Sequence, residues 1–325
     1  MELLKGQYSA TSGRISLFQG TVEEWMNYWL NILIREQIKI STHSSYHSKM
    51  KQHIFPLLGR KKLTLLSDRD IEWFLKALSG KGLSNTTINN IYVILKSALS
   101  KAYSEKVIVE NPCSTIVSPK IKKKEIFVLT IEQQQRLEKI ALQETACSSV
   151  IISLYTGLRI GEISGLTWSD VDLENRVISI KRTLQRISIA NSKTKTKIIF
   201  GSPKTESSIR KIPIAANLAD YLMEKKERST SEFVISHKNK YMEPRLINHH
   251  FKKMTKEAKL ENIHFHVLRH TFATRCIEQG IDIATLSKLL GHKSTKMTLD
   301  TYAGSLWETR EKAISLIDTQ LQLRH

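Results

Sequence analysis

The chain has 325 residues, of which 41% are hydrophobic and 25% charged, so it is long enough for two folded domains and unlike a disordered or fibrous protein. Its 50 Lys and Arg against 31 Asp and Glu give a formal net charge of +19, which favours a polyanionic partner, nucleic acid before an acidic membrane surface. The sequence has no run of 18 apolar residues and no signal-peptide pattern, so a cytoplasmic protein is expected. Its three cysteines are widely separated, so neither disulfides nor a zinc site is expected.

A helical bundle is predicted for residues 21–117, after a polar leader of residues 1–20. In "TVEEWMNYWLNILIREQ" apolar residues recur at helical spacing from near Thr21, and a second helix is predicted with "STHSSYHSKMKQHIFPLLG". A third helix is predicted to open at Ser67, with Asp70 completing a capping box, and a fourth at Ser84. These four helices make one small domain.

A basic linker, residues 118–126, is predicted to follow the bundle. Asn111-Pro112 ends the helical pattern because a residue before proline disfavours the helical conformation. The segment "SPKIKKKEIFVLT" then combines a proline with clustered lysines and no periodicity, which is typical of an exposed connector. Its lysines could be solvated surface only, or they could cross a phosphate backbone: Lys122, Lys123 and Lys124.

The second domain, residues 127–325, is predicted to be mostly helical with one small antiparallel sheet. Helical patterns occur in "TIEQQQRLEKIALQ", in the buried run "SSVIISLYTGLRIGEISGL", and from Pro244 to the end. Between them lie three short β-branched segments bounded by turn residues, "RVISIKR", "KIIFG" and "IRKIPI". The fold class is therefore mainly α, with a bundle domain and a larger mixed domain.

Two segments of the second domain place charged side chains where a buried run ends. Arg159 follows the apolar stretch in "YTGLRIGEISGL", and its permanent charge must meet an anion. That anion could be Glu162, or Arg159 could point outward to a phosphate. In "HFHVLRHTFATRCIEQG" a helix from about His266 would place this histidine and Arg269 on one face.

Two further segments complete the set of candidates. Lys204 follows Pro203 at a predicted hairpin turn, and "LGHKSTKMTLDTYAG" sets His292 and Tyr302 ten residues apart. With these residues in this order, the sequence from about Thr21 onward resembles the tyrosine recombinase (phage-type integrase) family. The matching phrases are "TGLRIGE", "PKTESSIRKIPI", "HVLRHTFAT" and "LGHKSTKMTLDTY".

The match departs from the family pattern in two ways. Val267 stands where members often carry Asp, which puts one supporting contact in doubt. The leader before Thr21 is also too short for the separate N-terminal domain with which many integrases bind accessory arm sites.

The resemblance implies a reaction in which Tyr302 attacks a DNA phosphodiester and stores the bond energy as a 3'-phosphotyrosine. Arg159 and Arg269 would hold the non-bridging oxygens and stabilise the growing charge. Lys204 would protonate the departing 5' oxygen. His266 and His292 would divide proton transfer at the tyrosine and phosphate binding between them, and their division of labour stays open. No metal or other cofactor is expected.

The resemblance also implies partners and a biological role. These are double-stranded DNA recombination sites, a homo-oligomer that reaches a tetramer in the synaptic complex, and an accessory DNA-bending or directionality factor, with no membrane partner. Integration or excision of a mobile element is the expected task, with chromosome-dimer resolution as another. The C-terminal tail would pack on its own domain or dock on a neighbouring protomer, through Leu306, Ala313, Ile317 and Leu321.

Two alternatives belong to other functional classes. The segment "GIDIATLSKLLGHKSTKMTLDTY" also looks like a helix-turn-helix, so the chain could be a non-enzymatic DNA-binding regulator. Such a regulator would have no use for Arg159, Lys204 and Tyr302 together. A type IB topoisomerase is closer in chemistry, but its bundle, linker and tail would differ from those seen here.

Overall fold

A computed structural model describes residues 18–121, 126–144, 147–188, 196–201, 209–302, 311, 314 and 315. The chain divides into two compact units, one of residues 1–124 with 187–197 and one of residues 125–186 with 198–325. Within the described residues, no helix combines the length and the apolar character needed to cross a bilayer.

The first unit is a helical bundle. Its α-helices are α1 (Val22–Tyr28), α2 (Ile40–Lys49), α3 (Phe55–Leu58), α4 (Asp68–Gly80) and α5 (Asn85–Ser104). Two π-helical turns and one 3-10 turn join them: Trp29–Leu33, Met50–Ile54 and Leu63–Leu65. The helices predicted at Thr21, Ser67 and Ser84 are confirmed.

Side-chain caps explain where these helices begin. Ser67 accepts a hydrogen bond from the backbone N–H of Asp70, and the Asp70 carboxylate accepts one from the Ser67 backbone at 2.8 Å. Thr21 and Glu24 form the same reciprocal pair at α1. Each cap provides a partner for N–H groups that the first helical turn leaves unpaired.

The predicted second helix is interrupted near Pro56. Pro56 lies at the start of α3 and has no N–H with which to continue the helical ladder. The π-helical turn Met50–Ile54 comes directly before α3, and its i to i+5 hydrogen bonding makes the helix wider there than a regular α-helix. The segment is therefore helical throughout but not one regular α-helix.

The bundle has its own hydrophobic core. Trp25 of α1 is fully buried, and its indole N–H donates to the Ala98 carbonyl of α5 at 2.9 Å. Phe74 of α4 and Leu95 of α5 are also fully buried. Phe18, which lies in the predicted polar leader, is buried too and contacts Trp25 edge-on, so residues just before α1 contribute to the core.

The second unit contains eight further α-helices and most of the strands in the described ranges. The helices are α6 (Ile131–Gln143), α7 (Ser148–Thr156), α8 (Ile160–Ser164), α9 (Ala216–Glu227), α10 (Pro244–Glu257), α11 (His266–Glu278), α12 (Ile283–Leu290) and α13 (Thr295–Tyr302). The strands are β1 (Val171–Asp172), β2 (Val177–Ile180), β3 (Thr183–Ser188), β4 (Thr196–Gly201), β5 (Arg210–Pro213), β6 (Ser236–His237) and β7 (Lys240–Tyr241). A 3-10 turn, Trp168–Asp170, precedes β1.

The mainly α fold class is confirmed, but the strands pair differently from the single sheet predicted. In the described residues they form three small sheets, β1-β2-β5, β3-β4 and β6-β7. The segment "KIIFG" pairs with β3, a strand that the sequence interpretation missed, and not with β2. The reason is that β1 and β5 already occupy both edges of β2, with Ile178 opposite Val171 on one side and Ile212 on the other.

The helices α11, α12 and α13 form a small cluster of their own beside the main core of this unit. The cluster contains six buried residues: Ala273, Cys276, Ile277, Leu286, Leu290 and Tyr302. Gly291 caps α12 with a φ of 63°, a left-handed conformation that L side chains rarely adopt. This cap allows the chain to turn sharply from α12 toward α13, at whose end Tyr302 lies.

Candidate active site

Arg159 lies in the loop between α7 and α8, where the chain leaves a buried helix. Gly157 ends α7 with a φ of 65°, and Arg159 takes an extended conformation as the N-cap of α8. Its guanidinium donates to Glu162 at 2.9 Å, while its side chain stays 35% exposed. The Glu162 pairing weighed in the sequence interpretation is therefore present, and it leaves part of the guanidinium accessible.

Glu162 is the buried anion that organises this part of the site. Its side chain is 4% exposed. Its two carboxylate oxygens also accept hydrogen bonds from the two terminal nitrogens of Arg210 on β5, at 3.1 and 3.0 Å. Burial raises the pKa of Glu162, but Arg210 and Arg159 outweigh that effect and hold the pKa below its usual value. Glu162 therefore keeps its negative charge at neutral pH and pairs with both Arg159 and Arg210.

Arg210 was not among the predicted site residues. Its side chain is 6% exposed, and its Nε donates to the Leu289 carbonyl near the end of α12 at 2.7 Å. Arg210 thereby connects β5, α8 and α12 around Glu162. The available signal was an arginine inside the β-branched segment "IRKIPI", where a buried charge requires a partner.

Arg269 is 1% exposed and joins three helices. From α11 it donates to the Gly157 carbonyl at the end of α7 and to the Leu290 carbonyl at the end of α12, each at 2.7 Å. Carbonyls at helix C-termini lack intrahelical donors and carry partial negative charge, so a guanidinium suits them. These bonds use two of its five N–H groups.

Burial and the neighbouring Arg159 lower the pKa of Arg269, yet a guanidinium stays charged at neutral pH. The predicted contact of Arg269 with a phosphate stays a prediction.

Tyr302 ends α13 with its side chain 2% exposed. Its hydroxyl oxygen lies 2.9 Å from Nδ1 of His270, a residue of α11 absent from the predicted set. Burial raises the pKa of Tyr302 to about 12, although the positive charges of Arg269 and Arg159 act to lower it. The phenol is therefore protonated at neutral pH and held beside an imidazole.

One feature of the sequence could have identified His270 as a site residue. It lies in "HVLRHTFAT" directly after Arg269 and one helical turn beyond His266, and therefore on the same side of the predicted helix as His266.

His292 follows the Gly291 cap, and its Nδ1 lies 2.7 Å from Oγ1 of Thr298, which is fully buried in α13. This bond fixes the ring and leaves Nε2 as the other polar edge. Burial, Arg269 and Arg159 lower the pKa of His292 to about 3, so its imidazole is neutral at physiological pH. It is thus available as a donor or acceptor of one proton.

His266 is the first residue of α11 and lies against the His270 ring, with centroids 4.7 Å apart and planes at 89°. Desolvation, His270 and Arg269 lower the pKa of His266 to about 4. His266 and Arg159 line one cavity of about 430 Å³, whose wall also includes Arg186, Glu243 and Arg245. The cavity opens beside the arginine that the sequence assigned to phosphate binding.

The structure therefore brings together five of the six predicted catalytic residues: Arg159, His266, Arg269, His292 and Tyr302. The sixth, Lys204, lies outside the described residues, as do the linker lysines Lys122, Lys123 and Lys124 and the tail positions Leu306, Ala313, Ile317 and Leu321. Val267, the departure from the family pattern, is buried in the main core.

Comparison with known proteins connects this arrangement to a family. A family model described as "Phage integrase family" matches residues 123–308, and one described as "Phage integrase, N-terminal SAM-like domain" matches residues 21–79. The chain is 26% identical to a "Tyrosine recombinase XerC-like" protein of Caldanaerobacter subterraneus subsp. tengcongensis, covering 92% of this chain and 83% of the relative. It is also 26% identical to the "ICEBs1 integrase" of Bacillus subtilis, covering 85% and 78% of the two chains.

A solved structure supports the same relationship. The Tn1549 transposon integrase in complex with transposon right end DNA superimposes with a TM-score of 0.74 and 26% identity, over 90% of this chain and 99% of that chain. The integrase family model covers more than half of the present chain, and its match contains the whole cluster from Gly157 to Tyr302. On these grounds the chain belongs to the phage integrase family of tyrosine recombinases.

Proposed function

We propose that this recombinase cuts and rejoins double-stranded DNA at the ends of a mobile element, with Tyr302 as the nucleophile that forms a 3'-phosphotyrosine. The observation that carries the proposal is a cluster of two arginines and three histidines, from the α7–α8 loop, α11 and the end of α12, in which one histidine, His270, contacts the Tyr302 hydroxyl. Both Arg269 and Arg159 are near enough to act on the pKa of the phenol. Chains related to this one are named integrases or transposases of such elements.

The charges at the site suit phosphoryl transfer. As a tyrosine oxygen attacks a phosphodiester, negative charge accumulates on the non-bridging oxygens, and a preorganised guanidinium stabilises that charge more than it stabilises the ground state. Arg159 presents a partly exposed fork already oriented by Glu162. Arg269 adds a buried positive charge that two backbone carbonyls hold in place.

The reaction retains the energy of the broken bond. The phosphotyrosine ester is attacked by a 5' hydroxyl from another strand, so rejoining DNA requires no nucleotide cofactor. Lys204, by the resemblance, donates the proton to the leaving 5' oxygen. The linker lysines 122–124 add phosphate contacts, which strengthen binding to all sequences alike.

The active assembly is a homo-oligomer on DNA, and we propose a tetramer for the synaptic complex with an accessory factor that bends DNA or sets direction. Lambda integrase, with the same fold, has been solved as a dimer on a core site and as a tetramer on a Holliday junction. Exchange of two pairs of strands needs four nucleophiles, and each chain of the proposed assembly supplies one Tyr302.

Family membership decides against the regulator with a helix-turn-helix. The two helices of that interpretation, α12 and α13, are present, and Tyr302 at the end of α13 is buried in the α11–α13 cluster.

A nicked duplex tests the proposal. The DNA flanking the gene supplies the sequence, and a nick placed so that the 5' fragment is lost after cleavage traps the covalent complex. The parental chain should form this complex, and Tyr302→Phe should abolish it while gel-shift affinity changes less than twofold or so. A trapped complex that maps to another residue refutes the assignment of Tyr302.

A further inference from the structure

The Tyr302 hydroxyl is hydrogen-bonded to a histidine that was not among the predicted site residues, and the phenol O–H donates when Nδ1 of this neutral imidazole carries no proton. By the resemblance, one of His266 and His292 takes part in proton transfer at Tyr302 and the other bonds the phosphate. In the structure Nδ1 of His292 is bonded to Thr298, and the Tyr302 oxygen lies 2.9 Å from Nδ1 of His270.

We propose that His270 is the catalytic base that takes the Tyr302 proton during strand cleavage. This inference rests on the proposed function, in which Tyr302 attacks the phosphodiester. It assigns to His270 a step for which a hydrogen bond to the attacking oxygen is the first requirement.

Tyr302 needs a base close by. A phenol is a weak nucleophile while it keeps its proton, and burial raises the pKa of this one to about 12. At neutral pH only about one molecule in 100,000 would carry the phenolate unaided, given a pKa five units above the pH. A partner in contact with the oxygen removes this limit because the proton leaves as the new bond forms.

His270 has the form that can accept a proton. Burial, with Arg269 and His264, lowers its pKa to about 4, so the imidazole is neutral at physiological pH. The same Arg269 would oppose an imidazolium in the free protein. A phosphodiester bound beside Arg159 and Arg269 adds negative charge that offsets them, so His270 becomes a stronger base when substrate is present.

The step balances in atoms and charge. The Tyr302 oxygen forms a bond to phosphorus, its proton passes to Nδ1 of His270, and the bond from phosphorus to the 5' oxygen breaks. That oxygen takes a proton from Lys204. When a 5' hydroxyl later attacks the phosphotyrosine, His270 returns its proton to Tyr302 and Lys204 recovers its own, so the site is restored.

The positions of the two residues are well supported. His270 follows Arg269 on α11, and Arg269 is bonded to the carbonyls of Gly157 and Leu290. Tyr302 is held by its apolar contacts with the other residues of the α11–α13 cluster. Both members of the contact are therefore held in place by the fold of α11–α13.

Two variants separate proton transfer from positioning. Asn at residue 270 can place an acceptor near the position of Nδ1 and still hold the hydroxyl, but it cannot take up a proton. Ala removes both functions. Single-turnover cleavage of the nicked duplex at saturating protein should fall at least about a hundredfold for both His270→Asn and His270→Ala.

His264→Asn is the matched control, since it removes a neighbouring imidazole that makes no contact with Tyr302. It should cleave at the parental rate. Thermal unfolding of each variant shows whether the chain is folded, and the Asn variant carries the test if the Ala variant is not.

A second substrate identifies the oxygen on which His270 acts. Replacing the bridging 5' oxygen by sulfur creates a leaving group that departs without a proton, because a thiol is far more acidic than an alcohol. This substrate should restore cleavage by Lys204→Ala and leave His270→Asn slow.

The inference is overturned if His270→Asn cleaves the ordinary nicked duplex within a few-fold of the parental rate. It is also overturned if the sulfur substrate restores cleavage by His270→Asn. These outcomes leave the proposed function intact as long as Tyr302→Phe forms no covalent complex. If Tyr302→Phe still forms that complex, the proposed function itself fails.

Discussion

Replacing Glu162 by Gln tests whether a single buried carboxylate supports the arginine side of the site. The substitution keeps the size of the side chain and removes the negative charge under Arg159 and Arg210. Removing one partner of a buried ion pair costs about 3–5 kcal/mol, because the remaining charge is left uncompensated. Since Gln keeps one acceptor oxygen and the Arg159 side chain is 35% exposed, we expect the lower end, about 3 kcal/mol.

The assay is thermal unfolding. For a unit of this size about 3 kcal/mol corresponds to a fall in Tm of roughly 6–12 °C. Glu278→Gln is the control, since Glu278 also pairs closely with an arginine, Arg275 at 2.6 Å, but both side chains are 26% exposed. A more exposed pair contributes about 1 kcal/mol or less, so the control should lose at most a few degrees.

The pH dependence gives an independent check. The pKa of Glu162 in the folded chain is below its ordinary value, so its contribution to stability is complete above the ordinary value and is lost as the pH falls through the folded one. The difference in Tm between the parental chain and Glu162→Gln should therefore shrink in acid. An equal loss for Glu162→Gln and Glu278→Gln at neutral pH would refute the reasoning, because burial would then make no difference.

Three further predictions concern the other side chains of the site. Arg159→Lys keeps the charge and loses the planar fork, so single-turnover cleavage should fall about a hundredfold, roughly 3 kcal/mol, with little change in gel-shift affinity; a parental rate would remove Arg159 from the transition state. Thr298→Val removes the hydroxyl that orients His292 and should slow cleavage about tenfold through the loss of one buried hydrogen bond of about 1 kcal/mol or slightly more, whereas an unchanged rate would mean that the imidazole needs no such support. The free energy of unfolding should decrease as the pH is lowered from about 6.5 to about 4. In the folded chain the pKa of His270 is lowered to about 4 and that of His292 to about 3, so in this range the unfolded chain binds protons that the folded chain does not. The slope is at most about 1.4 kcal/mol per pH unit for each histidine, and His292→Asn should reduce it in a series of unfolding curves; an unchanged slope would contradict this assignment.

The sequence by itself determined the features that depend on neighbouring residues. The starts of α4 and α5 followed from Ser67 and Ser84, because a cap bonds to an N–H only two or three residues away. The turn at Gly291 is local too, because glycine adopts the left-handed conformation that ends α12, whereas α11 begins at His266 without a side-chain cap. The order of the motifs was also enough to indicate the family.

Only the tertiary structure decided which distant groups meet. Strand β4 pairs with β3 because β1 and β5 occupy both edges of β2, and no local pattern records that competition. Glu162 serves Arg210 as well as Arg159, although Arg210 lies 48 residues away, and His270 meets Tyr302 across 32 residues. Such contacts depend on how α11, α12 and α13 pack together. Because burial then sets the pKa values of these groups, the electrostatics of the site, unlike its list of residues, could not be obtained from the sequence.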